Sequence, residues 1–208
     1  RLSVNGYHVE IVHIDPTDFT YIDLFSLIEW YESEGYEIHM LNIDYLNMMS
    51  KKGCTQGPMG SEIRDLFRRV RNFISRKGIF TITPHQLSTQ ATELVRNGLG
   101  EDFVKEIANK NYFDGCKTIA QEVDMEIYIH IVRVGSESYL CVQRGKHRKV
   151  SVTPTQDLFM VMKFEPIGGI PDDINDRDRT RRRVGAAPVM EGGQNAWYDF
   201  QNEVKMAA

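Results

Sequence analysis

The stretch Ile38-His39-Met40-Leu41-Asn42-Ile43-Asp44-Tyr45-Leu46 constrains this chain more than any other. It is a short, mostly apolar run that delivers one aspartate near its carboxyl end, the pattern of a buried parallel strand. In open α/β sheets ligands bind in the crevice outside the carboxyl ends of such strands. A carboxylate there can hold a magnesium ion, often through waters, beside a nucleotide phosphate. Many strands also end in aspartate simply to begin a turn, so Asp44 acquires meaning only from the motifs downstream of it.

Composition narrows the partners. With 208 residues the chain can bury one core and carry a short appendage. Its net charge of −4 excludes a uniformly basic coat, so any nucleic-acid surface must be a local patch. No apolar run approaches the ~18 residues that span a bilayer, and no membrane association is expected. Cys54, Cys116 and Cys141 are odd in number, far apart and without a C-x-x-C pair. Neither a zinc site nor a disulfide framework is indicated, and a reducing, cytoplasmic setting fits best. The chain opens at Arg1 and runs quickly into a strand pattern, which predicts a piece of something longer.

The order of elements predicts an α/β fold. Residues 7–14 read as a strand, and Asp15-Pro16-Thr17-Asp18 as a turn entering a helix. Leu24, Leu27, Ile28 and Tyr31 follow helical spacing until Gly35 stops it. The Asp44 strand comes next, then a glycine-rich loop over residues 51–60. Ser61 is the expected N-cap of a helix whose stripe is Ile63, Leu66, Phe67, Val70, Phe73 and Ile74, with Arg64, Arg68 and Arg71 facing away. Gly78 ends that helix, and residues 79–83 form a further short buried strand. Alternating strands and helices imply a mostly parallel central sheet flanked by helices. Residues 87–117 read as part helix, part mobile loop. Three strands are expected over residues 126–134, 139–143 and 158–164, the first two joined at Gly135-Ser136. Residues 1–165 thus form the core, with antiparallel strands at its C-terminal edge, and residues 166–208 an extended tail.

Chemistry gathers in the same order. The strand after the Asp44 strand ends Thr83-Pro84-His85-Gln86-Leu87-Ser88. His85 or Gln86 at that tip is long enough to sense a γ-phosphate and pass its state to the next loop; a simple turn cap is the bland alternative. Later, Tyr139-Leu140-Cys141-Val142-Gln143-Arg144-Gly145-Lys146-His147-Arg148-Lys149 ends a strand in a basic turn. Such a turn either lies solvated or supplies an arginine to a phosphoryl group across a subunit boundary.

The succession Ile43-Asp44-Tyr45-Leu46-Asn47-Met48-Met49, Gln86-Leu87-Ser88, Ile119-Ala120-Gln121-Glu122-Val123-Asp124 and Gln143-Arg144 resembles the RecA-fold ATPase domain of DnaB-type replicative helicases. The likeness runs unbroken over residues 9–165 and is nearer to divergent phage members than to bacterial ones. It implies that Asp44 is the Walker B magnesium residue, Gln86, beside His85, the phosphate sensor, and Arg144 a trans-acting arginine finger; Lys146 or Arg148 reaching back can stand in for the lysine that the family places before that arginine. It implies ATP and Mg2+ as cofactors and a hexameric ring working on single-stranded DNA with a primase or loader. Residues 50–60 and 87–115 become channel-lining loops, gripping DNA phosphates through Lys51, Lys52, Arg96 and Lys105.

Two departures from that family stand out. No G-x-x-x-x-G-K-[ST] occurs, so this chain alone is expected neither to bind ATP tightly nor to hydrolyse it, and truncation is the economical explanation. Val142 stands where the family usually has a lysine two residues before the arginine. Two other readings remain open: a RecA-like recombinase filament, and a P-loop-less module that binds DNA or a replication protein without chemistry. The tail adds a mixed-charge run, Arg177-Asp178-Arg179-Thr180-Arg181-Arg182-Arg183, and an aromatic anchor at Trp197-Tyr198-Asp199-Phe200.

Overall fold

A computed structural model describes residues 6–58, 60–96, 103–134, 136–148 and 158–164, so the tail motifs lie outside the described residues. The chain divides into two compact units, between Gln86 and Leu87.

In the first unit, helix α1 (Tyr21–Ser33) begins at a capping box. Thr20 and Asp23 exchange hydrogen bonds, the Thr20 amide donating to Asp23 Oδ2 at 2.8 Å, which satisfies donors the helix start would otherwise leave open. The Asp15 turn is also present, with the Thr17 amide on Asp15 Oδ1 at 2.9 Å. Helix α2 (Ser61–Lys77) buries Leu66, Phe67, Val70 and Ile74 of the expected stripe, leaves Ile63 and Phe73 partly covered, and ends at Gly78 with φ 71°. Its start differs from expectation. Gly60, at φ 87°, occupies the N-cap, while the Ser61 hydroxyl donates to the Pro58 carbonyl at 2.6 Å. The left-handed backbone at Gly60 turns the chain into the helix without a side-chain cap. The two helices meet through stacked Phe25 and Phe73, whose ring centroids lie 3.9 Å apart.

Strands β1 (Met40–Asn42) and β2 (Phe80–Ile82) pair in parallel, Met40 opposite Phe80 and Asn42 opposite Ile82. The pairing is the expected one; the burial is not. Only the face of Leu41 and Thr81 is partly covered, and Met40 (54%) and Phe80 (57%) stand exposed. A strand is buried on both faces only when layers cover both, and one side of this sheet is open. Residues 7–14 do not form the expected strand. They lie outside any ladder, exposed except for a partly covered Ile14, because an alternating apolar pattern makes a strand only beside an edge that takes its hydrogen bonds.

The second unit is an antiparallel meander. β3 (Met125–Val134) pairs with β4 (Glu137–His147), and β4 with β5 (Phe159–Lys163). Among the described residues this sheet is separate from the parallel pair, so the α/β class holds while the parallel part is only two strands. The segment expected to be partly mobile contributes α3 (Thr89–Arg96) and α4 (Phe103–Ile107). Ala91, Phe103, Val104 and Ile107 join Tyr128, Cys141 and Val161 in one apolar cluster. Period-2 alternation on β3 sends Tyr128 inward and leaves Ile127, Ile129 and Ile131 on the exposed face. All three cysteines are buried, and among the described residues none forms a disulfide.

Candidate functional site

In the first unit the candidate residues lie just past the carboxyl ends of β1 and β2. The Ile43 amide donates to the Ile82 carbonyl at 3.0 Å, extending the parallel pairing by one bond, and the exposed Asp44 comes immediately after it. The Leu46 amide then donates to Thr83 Oγ1 at 2.9 Å. This bond ties the turn after Asp44 to the tip that carries His85 and Gln86, so both sequence-predicted groups share one edge. Thr83 is a residue that the sequence pattern does not single out; a hydroxyl at the tip of the neighbouring strand is its only signal. Gln86 is exposed. His85 is half-buried, its ring edge-on to Phe67 at 5.8 Å, and so is held against α2.

The loop after Asp44 is anchored at three points. The Ser50 amide donates to the Phe19 carbonyl at 2.9 Å. The Tyr21 hydroxyl reaches the Gly53 carbonyl at 3.5 Å, and the Thr55 amide reaches Asp65 Oδ2 at 2.8 Å. Asp65 is buried on α2 and receives Arg68 and Arg69 as well. Burial alone would raise its carboxyl; the bonds from Arg69, Thr55 and Arg68 outweigh that and hold it far below the usual carboxylate range. Arg69 also donates to the Tyr21 hydroxyl at 3.1 Å and lies over that ring. Beside this hub, Thr55, Ser61, Arg64, Asp65 and Arg68 line a pocket of about 200 Å³. Helical spacing alone sends Arg64 and Arg68 outward and gives no sign of a pocket.

Of the two loop lysines, Lys52 is exposed. Lys51 is half-buried and donates to the Asn47 carbonyl, and burial lowers its pKa from the ordinary lysine value.

The second unit holds the remaining residues. Arg144 lies on β4 opposite Ile127, half-buried, and its Nε is shielded from solvent without a hydrogen-bond partner among the described residues. Lys146 Nζ donates to the Ala120 carbonyl. Arg148 donates to the Gln121 carbonyl at 2.8 Å and pairs with Asp124 at 3.3 Å. Both basic heads therefore fasten the end of β4 to the turn Ile119–Gln121. Arg96 closes α3, and Lys105 on α4 lies 4.3 Å above the Phe159 ring.

The residues present fit part of a magnesium–nucleotide site. Magnesium asks for one or two carboxylates and completes its shell with waters and phosphates, and Asp44 at an open sheet edge meets that demand. No group of three or more metal-ligating side chains occurs among the described residues, and no glycine-rich phosphate cradle does either.

Comparison with known proteins identifies the company this geometry keeps. The sequence model of the family described as divergent DnaB-like ATPase matches residues 1–194. A solved ATPase domain superposes with a TM-score of 0.53 at 15% identity, over 71% of this chain and 49% of that one. A DnaB-like replicative helicase, solved in a study of its interactions with primase, gives 0.53 at 14% identity, over 74% of this chain and 35% of that one. The chain thus spans half or less of the solved chains it matches, and at these identities the likeness establishes the fold. Among curated protein sequences none is similar to it.

Proposed function

From a chain that belongs to the divergent DnaB-like ATPases, we propose a part of an ATP-driven, ring-forming motor that translocates on single-stranded DNA. The observation that carries this reading is the shared edge of Asp44 and the Thr83–Gln86 tip, bridged by the Leu46–Thr83 bond. Asp44 would hold the magnesium, and Gln86 with His85 would read the γ-phosphate. A bound magnesium nucleotide supplies the phosphoanhydride whose cleavage drives the motor. Arg144 faces the nucleotide of a neighbouring subunit in a hexamer, a reading supported by the place of Gln143-Arg144 in the succession that resembles the family. The phosphate cradle comes from further polypeptide, a reading supported by the half-length match and the open apolar face of β1 and β2. Lys52 grips DNA phosphates, with Lys51, Arg96 and Lys105 as weaker contributors, since Lys51 and Lys105 are already engaged. A primase or loader is the expected protein partner.

The test is Arg144→Ala in the native ATPase assembly. Turnover falls by about 10³-fold or more, as for other trans-acting arginines, while each subunit still binds nucleotide. Loss of nucleotide binding by the same subunit would remove the finger role.

A further inference from the structure

We propose that Glu126 is a positioning residue that sets where Arg144 is presented, acting through a β-bulge in the strand that carries it. This role rests on the finger reading of Arg144 and names what aims it.

The strand register shows the bulge. Met125 lies opposite His147 and Ile127 opposite Arg144, so one residue of β3, Glu126, faces two of β4, Gly145 and Lys146. An extra residue of this kind bends its strand and re-aims the side chain beside it, and Arg144 is that neighbour. An inserted residue also breaks the ladder and leaves an amide without its backbone partner. Here the buried Glu126 takes it: Oε2 accepts from the Lys146 amide at 3.4 Å and from the Tyr128 hydroxyl at 3.1 Å. On the other side of the bulge, Gln143 Nε2 donates to the Arg144 carbonyl at 2.9 Å.

The fit leaves no room for another residue at the bulge. A Cβ added to Gly145 would lie 2.5 Å from Tyr128 Cε2 and 3.0 Å from Glu126 Oε2. Those contacts are with a buried ring and a buried carboxylate, not with the loose end of a surface side chain. Glu126 has a second sign of a purpose other than stability. Its Oε1 is shielded from solvent and has no hydrogen-bond partner among the described residues, an arrangement that costs free energy where an apolar side chain would not. A carboxylate kept there at a cost fits one that holds a backbone in place.

The experiment compares kinetics of Glu126→Ala, Glu126→Gln, Arg144→Ala and the Glu126→Ala/Arg144→Ala pair in the native ATPase assembly. Glu126→Ala lowers kcat about 10- to 100-fold, the scale set by misplacing a reacting group by an ångström, and leaves KM and Kd for nucleotide unchanged. Glu126→Gln, which keeps an acceptor of the same size, recovers most of the rate. In the Arg144→Ala background, loss of Glu126 adds nothing, because the two act as one unit. If Glu126→Ala does not fold, Glu126→Asp, whose carboxylate retracts by one methylene, carries the same expectation. Where Arg144→Ala is crippling but Glu126→Ala is silent, additive or raises KM alone, the positioning role is overturned and the finger stands. Where Arg144→Ala itself leaves turnover intact, the finger reading falls and this role with it.

Discussion

The two units solve the same problem in opposite ways. The second closes on itself: three antiparallel strands joined in sequence take α3 and α4 onto their inner face, around Ile107, Val104 and Cys141. Its candidate residue, Arg144, rides in a long strand, one position beyond the pairing with β5 and beside the register shift against β3. The first unit packs two helices well, but its parallel strands are three residues each and one face stays open. Its key residues lie beyond the strand ends, located by the Leu46–Thr83 bond and by the anchored loop instead of by a ladder. Antiparallel pairs assemble from neighbours in sequence, whereas parallel pairs need long crossovers and cover on both faces. A meander can therefore fix its own register where a parallel sheet cannot, although its outer face, with Ile127, Ile129 and Ile131, is as open as that of β1 and β2.

Truncating each region at its most telling position gives the largest effect. Ile107→Ala is expected to cost about 2–5 kcal/mol, because a fully buried side chain leaves a cavity. Phe80→Ala, on the open face of β2, costs less than about 1 kcal/mol despite the larger side chain. Denaturant midpoints measure both, and an equal loss at Phe80 would mean that its face is packed in solution, which breaks the comparison.

Asp65→Asn comes next. It removes the negative charge and one of the two oxygens that Thr55, Arg68 and Arg69 share, and should destabilise the first unit by about 1–3 kcal/mol, since three donors are left with a single neutral acceptor and the new amide NH2 faces the arginines. Amide exchange at Thr55 should rise with it. Unchanged protection there would show that the loop is held by other contacts.

The smallest effect separates the units by pH. His130 packs against Phe103 at 4.8 Å, and burial lowers its pKa below the ordinary histidine value. The unfolded chain then takes up a proton at higher pH than the folded one. Stability from the second unit is therefore complete above pH ~6.5 and declines as pH falls through the histidine range. Asp65, held low instead, keeps its contribution until pH falls below ~4 and loses it only under stronger acid. Between pH 7 and 5.5 the Tm of the second unit should fall, and His130→Gln should remove that dependence. A loss shared equally by the first unit would overturn the assignment.

Much of this was legible in the chain itself. Helical spacing marked the buried stripe of α2, glycine marked its end, and apolar runs marked the five strands found among the described residues. The order of Asp44, Gln86 and Arg144 pointed to the family that the comparisons bear out. These are local signals: periodicity, turn chemistry and spacing act through neighbours along the chain. The failures came where a distant partner decides. Residues 7–14 alternate like a strand but find no edge to join, and Ser61 looks like a cap but gives its hydroxyl to Pro58. Thr83 became part of the site because a strand tip brought it to the Leu46 amide, 37 positions away in sequence.

Sequence alone determined which residue types are present and in what order along the strands and helices. Tertiary structure decided which face is covered, which lysine is engaged, and where one extra residue in β4 turns Arg144. Hydrogen bonding and burial across the fold are set by through-space neighbours, and a linear pattern does not contain them.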